Sequence, residues 1–65
     1  MPPLKIKYLR EKSNLSVEFV SIQMELSVKE YNNIEKGKID IKISKLDKLA
    51  KIFKVKKSDF LALEY

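Results

Sequence analysis

The chain is almost free of the two residues that most often interrupt regular structure. Its only prolines are Pro2 and Pro3, and from Leu4 to Tyr65 it contains a single glycine, Gly37. All-β folds need many tight turns, and those turns draw heavily on glycine and proline. The scarcity of both residues therefore favours helices joined by short connections.

Apolar residues recur at helical spacing in the first part of the chain. A first helix is expected from Pro2 or Pro3 to about Lys12, because proline is favoured in a first turn. A second helix follows Ser16, which is a good N-cap. Four of its residues lie at i, i+3, i+4 and i+7 and predict one buried face: Val17, Val20, Ser21 and Met24. Three more predict burial on a second side: Phe19, Ile22 and Leu26.

The sequence Ser27-Val28-Lys29-Glu30 has the spacing of a capping box and predicts the start of a third helix. Gly37 stands where a helix commonly ends in a left-handed residue. Between these signals, one face carries Tyr31, Ile34 and Glu35, and the other carries Lys29, Asn32, Asn33 and Lys36. We expect three aromatic rings in the core: Phe19, Tyr31 and Phe53.

Residues 38–44 alternate strictly between polar and apolar, which is typical of a β-strand. No second strand is available to pair with it, so we interpret it as an extended connection whose isoleucines fill the core. A fourth helix to about Lys54 follows from a stripe of five residues: Ile43, Leu46, Leu49, Ala50 and Phe53. A last short helix is expected from Ser58 to about Leu63. The prediction is an all-α fold of five short helices around one core.

The charge balance points towards a polyanionic partner. Fourteen Lys and Arg against nine Asp and Glu give a net charge of +5 and an isoelectric point near 9.5. Nucleic acid and anionic membrane surfaces are the two candidate partners, and a simple solvated lysine-rich surface is the third explanation. Lysines are spread over every predicted helix rather than gathered on one amphipathic face, which argues against a membrane. No apolar run approaches a membrane span or a signal peptide, so a cytoplasmic location is expected.

The composition excludes most enzyme chemistry. The chain has no cysteine and no histidine, which removes thiolate nucleophiles, the commonest general base and the usual zinc ligands. One glycine is too few for a phosphate-cradling loop. We therefore expect no catalytic residues, no metal and no cofactor.

Three stretches of the chain carry a resemblance to a known family. They are LSVEFVS at 15–21, LSV at 26–28 and YNNIEKGK at 31–38, and LDKLAKIFKV at 46–55 extends the match downstream. In this order they resemble the lambda-repressor-like, Cro-type helix-turn-helix family of DNA-binding transcriptional regulators, from Ile6 to about Leu61. The resemblance implies a single Cro-type domain over 1–65, with the helix-turn-helix at about 16–36. Its recognition helix, at about 28–36, would lie in the major groove of double-stranded DNA.

The resemblance also implies roles for individual residues. Four are expected to contact base edges: Val28, Lys29, Asn32 and Asn33. Asparagine suits adenine, lysine suits guanine and valine suits the thymine methyl group. Five are expected to contact phosphates: Ser16, Ser27, Lys36, Lys38 and Lys42. Arg10 and Glu35 correspond to a structural ion pair between the first and third helices.

Four residues depart from the family's usual pattern. Val17 replaces a glutamine that meets a phosphate, and Glu25 stands where the turn often has glycine. Val28 replaces a polar base-reading residue, and Glu30 adds a negative charge near the groove. These departures leave open a second class of function, a protein-interaction module with this fold and weak or lost DNA binding. Its docking patch would be Val17, Ile22 and Val28.

The expected working form is a homodimer on a two-fold DNA site, with half-sites about 34 Å apart. A surplus of apolar residues near the C-terminus offers a dimer contact: Phe60, Leu61, Leu63 and Tyr65. Ordinary capping of the core is an equal explanation for these residues. The sequence also fits the DNA-binding antitoxin of a toxin–antitoxin pair, or one domain of a longer protein.

Overall fold

Five helices account for the architecture in the computed structural model, which describes the backbone of residues 5–61 and the side chains of residues 5–60. They are α1 (Ile6–Lys12), α2 (Val17–Met24), α3 (Val28–Glu35), α4 (Ile43–Phe53) and α5 (Lys57–Leu61). Residues 5–61 contain no strand, so the all-α prediction is confirmed and segment 38–42 is a connection. The expected helix start at Pro2 or Pro3 and the expected end at Leu63 lie outside the described residues.

Serine side chains cap the N-termini of α2 and α3, as the sequence predicts. The backbone N–H of Phe19 donates to Ser16 Oγ at 3.0 Å, which satisfies one of the free donors of the first turn of α2. Ser27 and Glu30 form a complete capping box. The backbone N–H of Glu30 donates to Ser27 Oγ at 3.0 Å, and that of Ser27 donates to Glu30 Oε1 at 3.1 Å.

Left-handed residues end the first four helices. They are Asn14, Glu25, Gly37 and Lys54, with φ between 60° and 77°. After α3, the N–H of Gly37 donates to the Ile34 carbonyl and that of Lys38 to the Asn33 carbonyl, which is a Schellman motif. The same pair of bonds closes α2 around Glu25. A non-glycine residue in the left-handed conformation costs about 1–2 kcal/mol. The backbone is therefore strained at Glu25, in the turn between α2 and α3.

Ten side chains form one core across all five helices: Ile6, Leu9, Val20, Met24, Tyr31, Leu46, Leu49, Ala50, Phe53 and Phe60. The rings of Phe53 and Phe60 lie 5.7 Å apart between centroids and join α4 to α5. The core placement of Tyr31 and Phe53 is confirmed. The helices contribute between one and four core side chains each, so the fold depends on the helices packing together.

The prediction that α2 is buried on two sides is wrong. Phe19 is 46% exposed and Ile22 is 72% exposed, and neither belongs to the core. The buried residues of α2 are Val20, Ser21 and Met24, which occupy one stripe. Phe19 and Ile22 fall on the opposite side of the helix, where no described element covers them.

The prediction that the isoleucines of 38–44 fill the core holds only for Ile41, which packs against it partly buried. Ile39 is 44% exposed and Ile43 is 64% exposed. The reason is that the segment is not a strand and runs over the surface. Ile43 is the first residue of α4 and lies one turn before Leu46, where the buried stripe of that helix begins.

Within residues 5–61, the longest helix has 11 residues, and none combines the length and hydropathy needed to span a membrane. The same residues contain no group of three Asp or Glu side chains placed to hold a metal ion.

Candidate nucleic-acid interface

A short turn of fixed geometry joins α2 to α3. The backbone N–H of Leu26 donates to the Ser21 carbonyl at 2.9 Å, and Glu25 takes the left-handed conformation between them. Ser21 is buried and its hydroxyl donates to the Val17 carbonyl at 2.7 Å, so the polar side chain is satisfied inside α2. Leu26 packs against the core and holds the turn in place.

The outward face of α3 follows from which of its residues are buried. Tyr31 is fully buried, Ile34 packs against the core, and Glu35 points towards α1. At about 100° per residue, the direction opposite this set passes between Lys29 and Asn33. These two side chains are four residues apart and project from the same face.

Three of the four residues predicted to contact bases, Lys29, Asn32 and Asn33, share this side of α3, and Val28 lies at its edge. Val28 and Asn32 lie on one flank of Lys29 and Asn33, and the four directions span about 140° around the helix axis. Val28 is 41% exposed, Lys29 is exposed, and the two asparagines are half-buried. The face therefore offers two amides, one ammonium group and one apolar contact.

The residues predicted to contact phosphates lie before α2, before α3 and after α3. Ser16 and Ser27 are exposed N-caps, and each hydroxyl that accepts a backbone N–H keeps its own hydrogen to donate. The three lysines Lys36, Lys38 and Lys42 are all exposed. The backbone bond from Lys38 to the Asn33 carbonyl fixes the start of this lysine segment against the end of α3.

Glu30 changes what Ser27 can do. Its carboxylate already accepts the backbone N–H of Ser27, so that donor is not free for a phosphate. The carboxylate also places a negative charge at the start of α3, where an anion would otherwise be favoured. At Ser16, no carboxylate among the described residues lies within hydrogen-bonding distance, and its hydroxyl accepts the backbone N–H of Phe19.

Arg10 and Glu35 form a bidentate ion pair that links α1 to α3. Arg10 Nε donates to Glu35 Oε2 at 2.6 Å, and Nη2 lies 3.4 Å from Oε1. A third bond, from Arg10 Nη1 to the Leu15 carbonyl at 2.8 Å, fixes the loop before α2. The two side chains are 10% and 6% exposed. Hydrogen bonding to Glu35 raises the pKa of Arg10, so the guanidinium stays charged.

Tyr31 lies beside this pair, one turn of α3 before Glu35. Its hydroxyl is buried and has no hydrogen-bond partner among the described residues. Burial raises the pKa of Tyr31 well above its ordinary value, and the nearby Glu35 carboxylate raises it further. The sequence marks Tyr31 only as an apolar position of α3, because an aromatic residue with a hydroxyl looks like any other core residue in a helical pattern.

The predicted dimer contact is wrong for Phe60, whose ring is buried in the core and packs on Phe53. Phe60 instead belongs to the core, in line with the alternative explanation. The side chain of Leu61, together with Leu63 and Tyr65, lies outside the described residues.

Comparison with protein-family models agrees with this arrangement, whereas no curated protein matches the sequence. A family model described as helix-turn-helix matches residues 6–60, which include all of α1 to α4 and most of α5. The matched region covers more than half of the chain and contains the turn, the outward face of α3 and the Arg10–Glu35 pair. The chain therefore belongs to the Cro/C1-type, lambda-repressor-like helix-turn-helix family of DNA-binding domains.

Proposed function

We propose that the protein is a sequence-specific transcriptional regulator that places α3 in the major groove of DNA. The observation that carries this proposal is the outward face of α3, with Lys29, Asn32 and Asn33 on it and Val28 at its edge. Exposed serine and lysine side chains lie at both ends of the motif. A helix in the major groove reads bases with the side chains that point away from its own core. Lys29 and Asn33 point most directly away.

The proposed base contacts follow from the chemistry of each side chain. Asn33, with Asn32 beside it, can donate to and accept from adenine in the same contact. Lys29 can donate to the acceptors of guanine. Val28 offers an apolar surface for a thymine methyl group, which suits its partial exposure.

The proposed backbone contacts set affinity and register rather than sequence. Ser16 and the lysines Lys36, Lys38 and Lys42 approach phosphates on either side of α3. Ser27 contributes only through its hydroxyl hydrogen, and Glu30 weakens that contact. Arg10 acts as a positioning residue, because it holds α3 at a fixed angle to α1 without reaching the outward face.

Selection from a randomised pool of duplexes at about 50 and 200 mM salt tests the proposal. Contacts to phosphate alone lose affinity steeply over this range, whereas base readout leaves an enriched motif. Asn33→Ala should weaken binding to that motif by about 1–3 kcal/mol and relax the preference at one position. Gln23→Ala is the matched control, because Gln23 is an exposed amide on α2 outside the reading face. Equal losses on selected and random DNA would remove the base-reading role.

A protein-docking function is the second candidate, favoured by the exposure of Ile22 and Val28. Val17 does not join them in one exposed patch, since it is partly buried against the core. Binding that disappears at the higher salt without any enriched motif would favour this second function.

A further inference from the structure

An open groove runs along one side of α1 and is called the α1 groove. Four side chains line it from α1 and the residue before it: Lys5, Tyr8, Leu9 and Lys12. Three more complete the lining: Ser13, Val55 and Asp59. Its volume is about 570 Å³, which is within the range of sites that hold small molecules.

Two long hydrogen bonds fix the α1 groove at both of its ends. The backbone N–H of Lys5 donates to the Phe60 carbonyl at 3.3 Å, which joins the start of α1 to α5. The Ser13 hydroxyl donates to the Phe53 carbonyl at 3.4 Å, which joins the end of α1 to the end of α4. The groove is therefore already formed in the ligand-free fold, as small-molecule sites usually are.

The charge along the α1 groove is uneven. Neither Lys5 nor Lys12 forms an ion pair with a carboxylate of the described residues. Asp59 lies towards the Lys5 end, because the residue that follows it, Phe60, bonds to Lys5. One oxygen of the Asp59 carboxylate also accepts the backbone N–H of Lys56 at 3.0 Å. The Lys12 end has no carboxylate in its described lining, so it is the more positive end.

The surfaces beside Lys12 are apolar. Lys12 Nζ lies 5.7 Å from the centroid of the Tyr8 ring, a cation–π contact that holds the ammonium group at the wall of the groove. Leu9 belongs to the core and Val55 packs against it, so these two side chains form the inner part of the lining. A cation beside an aromatic ring and two aliphatic side chains fits a ligand with one anionic group and an apolar body.

The length of the α1 groove limits the size of its ligand. Lys5 and Lys12 are seven residues apart, which is about 10 Å along a helix. A polyanion such as nucleic acid needs a longer row of cations, because it binds by neutralising several phosphates. A small molecule with a single anionic group is sufficient to occupy this length.

The α1 groove faces away from the base-reading helix. Arg10 reaches from α1 to Glu35 on α3. At about 100° per residue, Tyr8 and Lys12 project about 160° away from Arg10. A ligand in the groove therefore lies on the far side of α1 from α3 and leaves the outward face of α3 uncovered.

We propose that the α1 groove binds a small organic carboxylate that carries an apolar body. The carboxylate pairs with Lys12, and the apolar body lies between Tyr8, Leu9 and Val55. Burial of the apolar body supplies most of the affinity, and the ammonium group selects for the anion. Because the site exists only in the folded domain, the ligand also stabilises the fold.

Titration of the full chain, labelled with nitrogen-15, tests the proposal through its backbone amide signals at pH 7. The probe is naphthalene-2-carboxylate, and naphthalene-2-carboxamide is the matched neutral ligand. The carboxylate should shift the signals of α1 and of residues 55–59, with a dissociation constant of about 1 mM or below for a ligand of this size. The carboxamide should bind about 3- to 5-fold more weakly, because an exposed ammonium group contributes only that much. The signals of Lys29 and Asn33 should not move.

Three variants at exposed positions identify the side chains that bind. Lys12→Gln should weaken binding of the carboxylate by about 3- to 5-fold and leave the carboxamide unchanged, so that both ligands bind equally. Lys7→Gln is the matched control, because Lys7 is an exposed lysine of α1 that does not line the groove. Tyr8→Ala should weaken both ligands alike, because it removes an apolar wall and no charge. Amide signals that match the wild type outside α1 and residues 55–59 show that each variant folds.

Several results would overturn the proposal. One is the absence of any saturable shift at ligand concentrations up to about 10 mM. Another is equal affinity of the wild type for the carboxylate and the carboxamide, and a third is an equal loss of carboxylate affinity in Lys12→Gln and Lys7→Gln. Shifts centred on residues 36–42 would place the anion elsewhere and would also overturn it. The titration contains no DNA, so each of these results leaves the proposed function standing.

Discussion

At the residue scale, the most heavily constrained group is the Arg10 side chain. It satisfies a nearly buried carboxylate on α3 and a backbone carbonyl before α2, so three parts of the chain depend on one guanidinium. A buried ion pair contributes little net stability, because desolvation offsets the attraction. Its removal is costly for a different reason, since each partner leaves the other charge buried and unpaired.

Arg10→Ala and Glu35→Ala should each lower the free energy of unfolding by about 3–5 kcal/mol. A chain of 65 residues has a total stability of only about 3–10 kcal/mol, so either variant is expected to be partly unfolded at 37 °C. The double variant Arg10→Met/Glu35→Leu should be more stable than either single variant, because no charge remains buried. Thermal and denaturant unfolding of all three measure this, and a double variant as unstable as the singles would contradict it.

Tyr31 next to this pair has a buried hydroxyl that finds no hydrogen-bond partner in the described part of the chain, and its raised pKa gives the free energy of unfolding a pH dependence. The folded state keeps Tyr31 protonated, whereas the unfolded chain loses this proton near the ordinary pKa of about 10. The contribution of Tyr31 to the free energy of unfolding is therefore complete below pH 10 and is lost as the pH rises above it. Tyr31→Phe should raise the free energy of unfolding at pH 7 by about 1 kcal/mol, since an unsatisfied group is removed. The substitution should also abolish the fall in the free energy of unfolding that the wild type shows above pH 10, about 1.4 kcal/mol per pH unit.

Denaturant unfolding of the wild type and Tyr31→Phe at pH 7, 9 and 11 gives both quantities. Tyr8→Phe is the control, because Tyr8 is exposed and its hydroxyl is in water in both states. A Tyr31→Phe protein that is less stable at pH 7 would show that the hydroxyl has a favourable partner.

At the element scale, the start of α3 combines a structural and an electrostatic effect in one side chain. Glu30 completes the capping box, which stabilises the helix, and it places a carboxylate where a DNA phosphate would approach. Glutamine can serve in the same capping box without the charge. The two effects can therefore be separated by substitution at a single position.

Glu30→Gln should keep the stability of the domain and strengthen DNA binding by about 1 kcal/mol at low salt, because one like-charge repulsion is removed. Glu30→Ala removes the same charge and also the cap, so it should bind DNA more tightly but unfold more easily, by about 1 kcal/mol. Unfolding and DNA titration of the two variants form a matched pair. Unchanged affinity in both would place Glu30 away from the phosphates.

The helix boundaries could be predicted from the sequence because their signals are local. Ser16, the Ser27–Glu30 box and Gly37 act within four residues along the chain, and each acts in the structure as its spacing predicts. The exposure of Phe19, Ile22 and Ile43 could not be predicted in this way. Apolar spacing shows which residues share a face, but which face is covered depends on how separate helices pack.

The candidate site was predictable to the extent that it depends on one helix. The face that carries Lys29 and Asn33 follows from the period of α3, and the Arg10–Glu35 pair follows from the family resemblance. The burial of the Tyr31 hydroxyl, which has no hydrogen-bond partner among the described residues, depends on contacts between helices. No local pattern encodes those contacts, so only the packed structure reveals them.

At the scale of the whole molecule, the question is how much of the positive charge acts on DNA. Thirteen lysines are distributed over the chain, yet the proposed phosphate contacts involve only Lys36, Lys38 and Lys42. Two other lysines already lie near carboxylates, Lys57 at 3.1 Å from Asp47 and Lys48 at 4.0 Å from Glu25. The salt dependence of binding counts the lysines that neutralise phosphates and ignores the rest.

Single-site binding should therefore weaken with salt at a logarithmic slope of about −2.7, which is about −0.9 for each of three lysines. Affinity would fall about 40-fold between 50 and 200 mM salt. Lys38→Ala should reduce the slope by about one and weaken binding equally on selected and random DNA, because a phosphate contact carries no sequence information. Lys56→Ala is the matched control, since Lys56 is exposed on the connection between α4 and α5 and should leave the slope unchanged. A slope that falls equally in both variants would mean that net charge, rather than the lysine segment after α3, determines how tightly this domain binds.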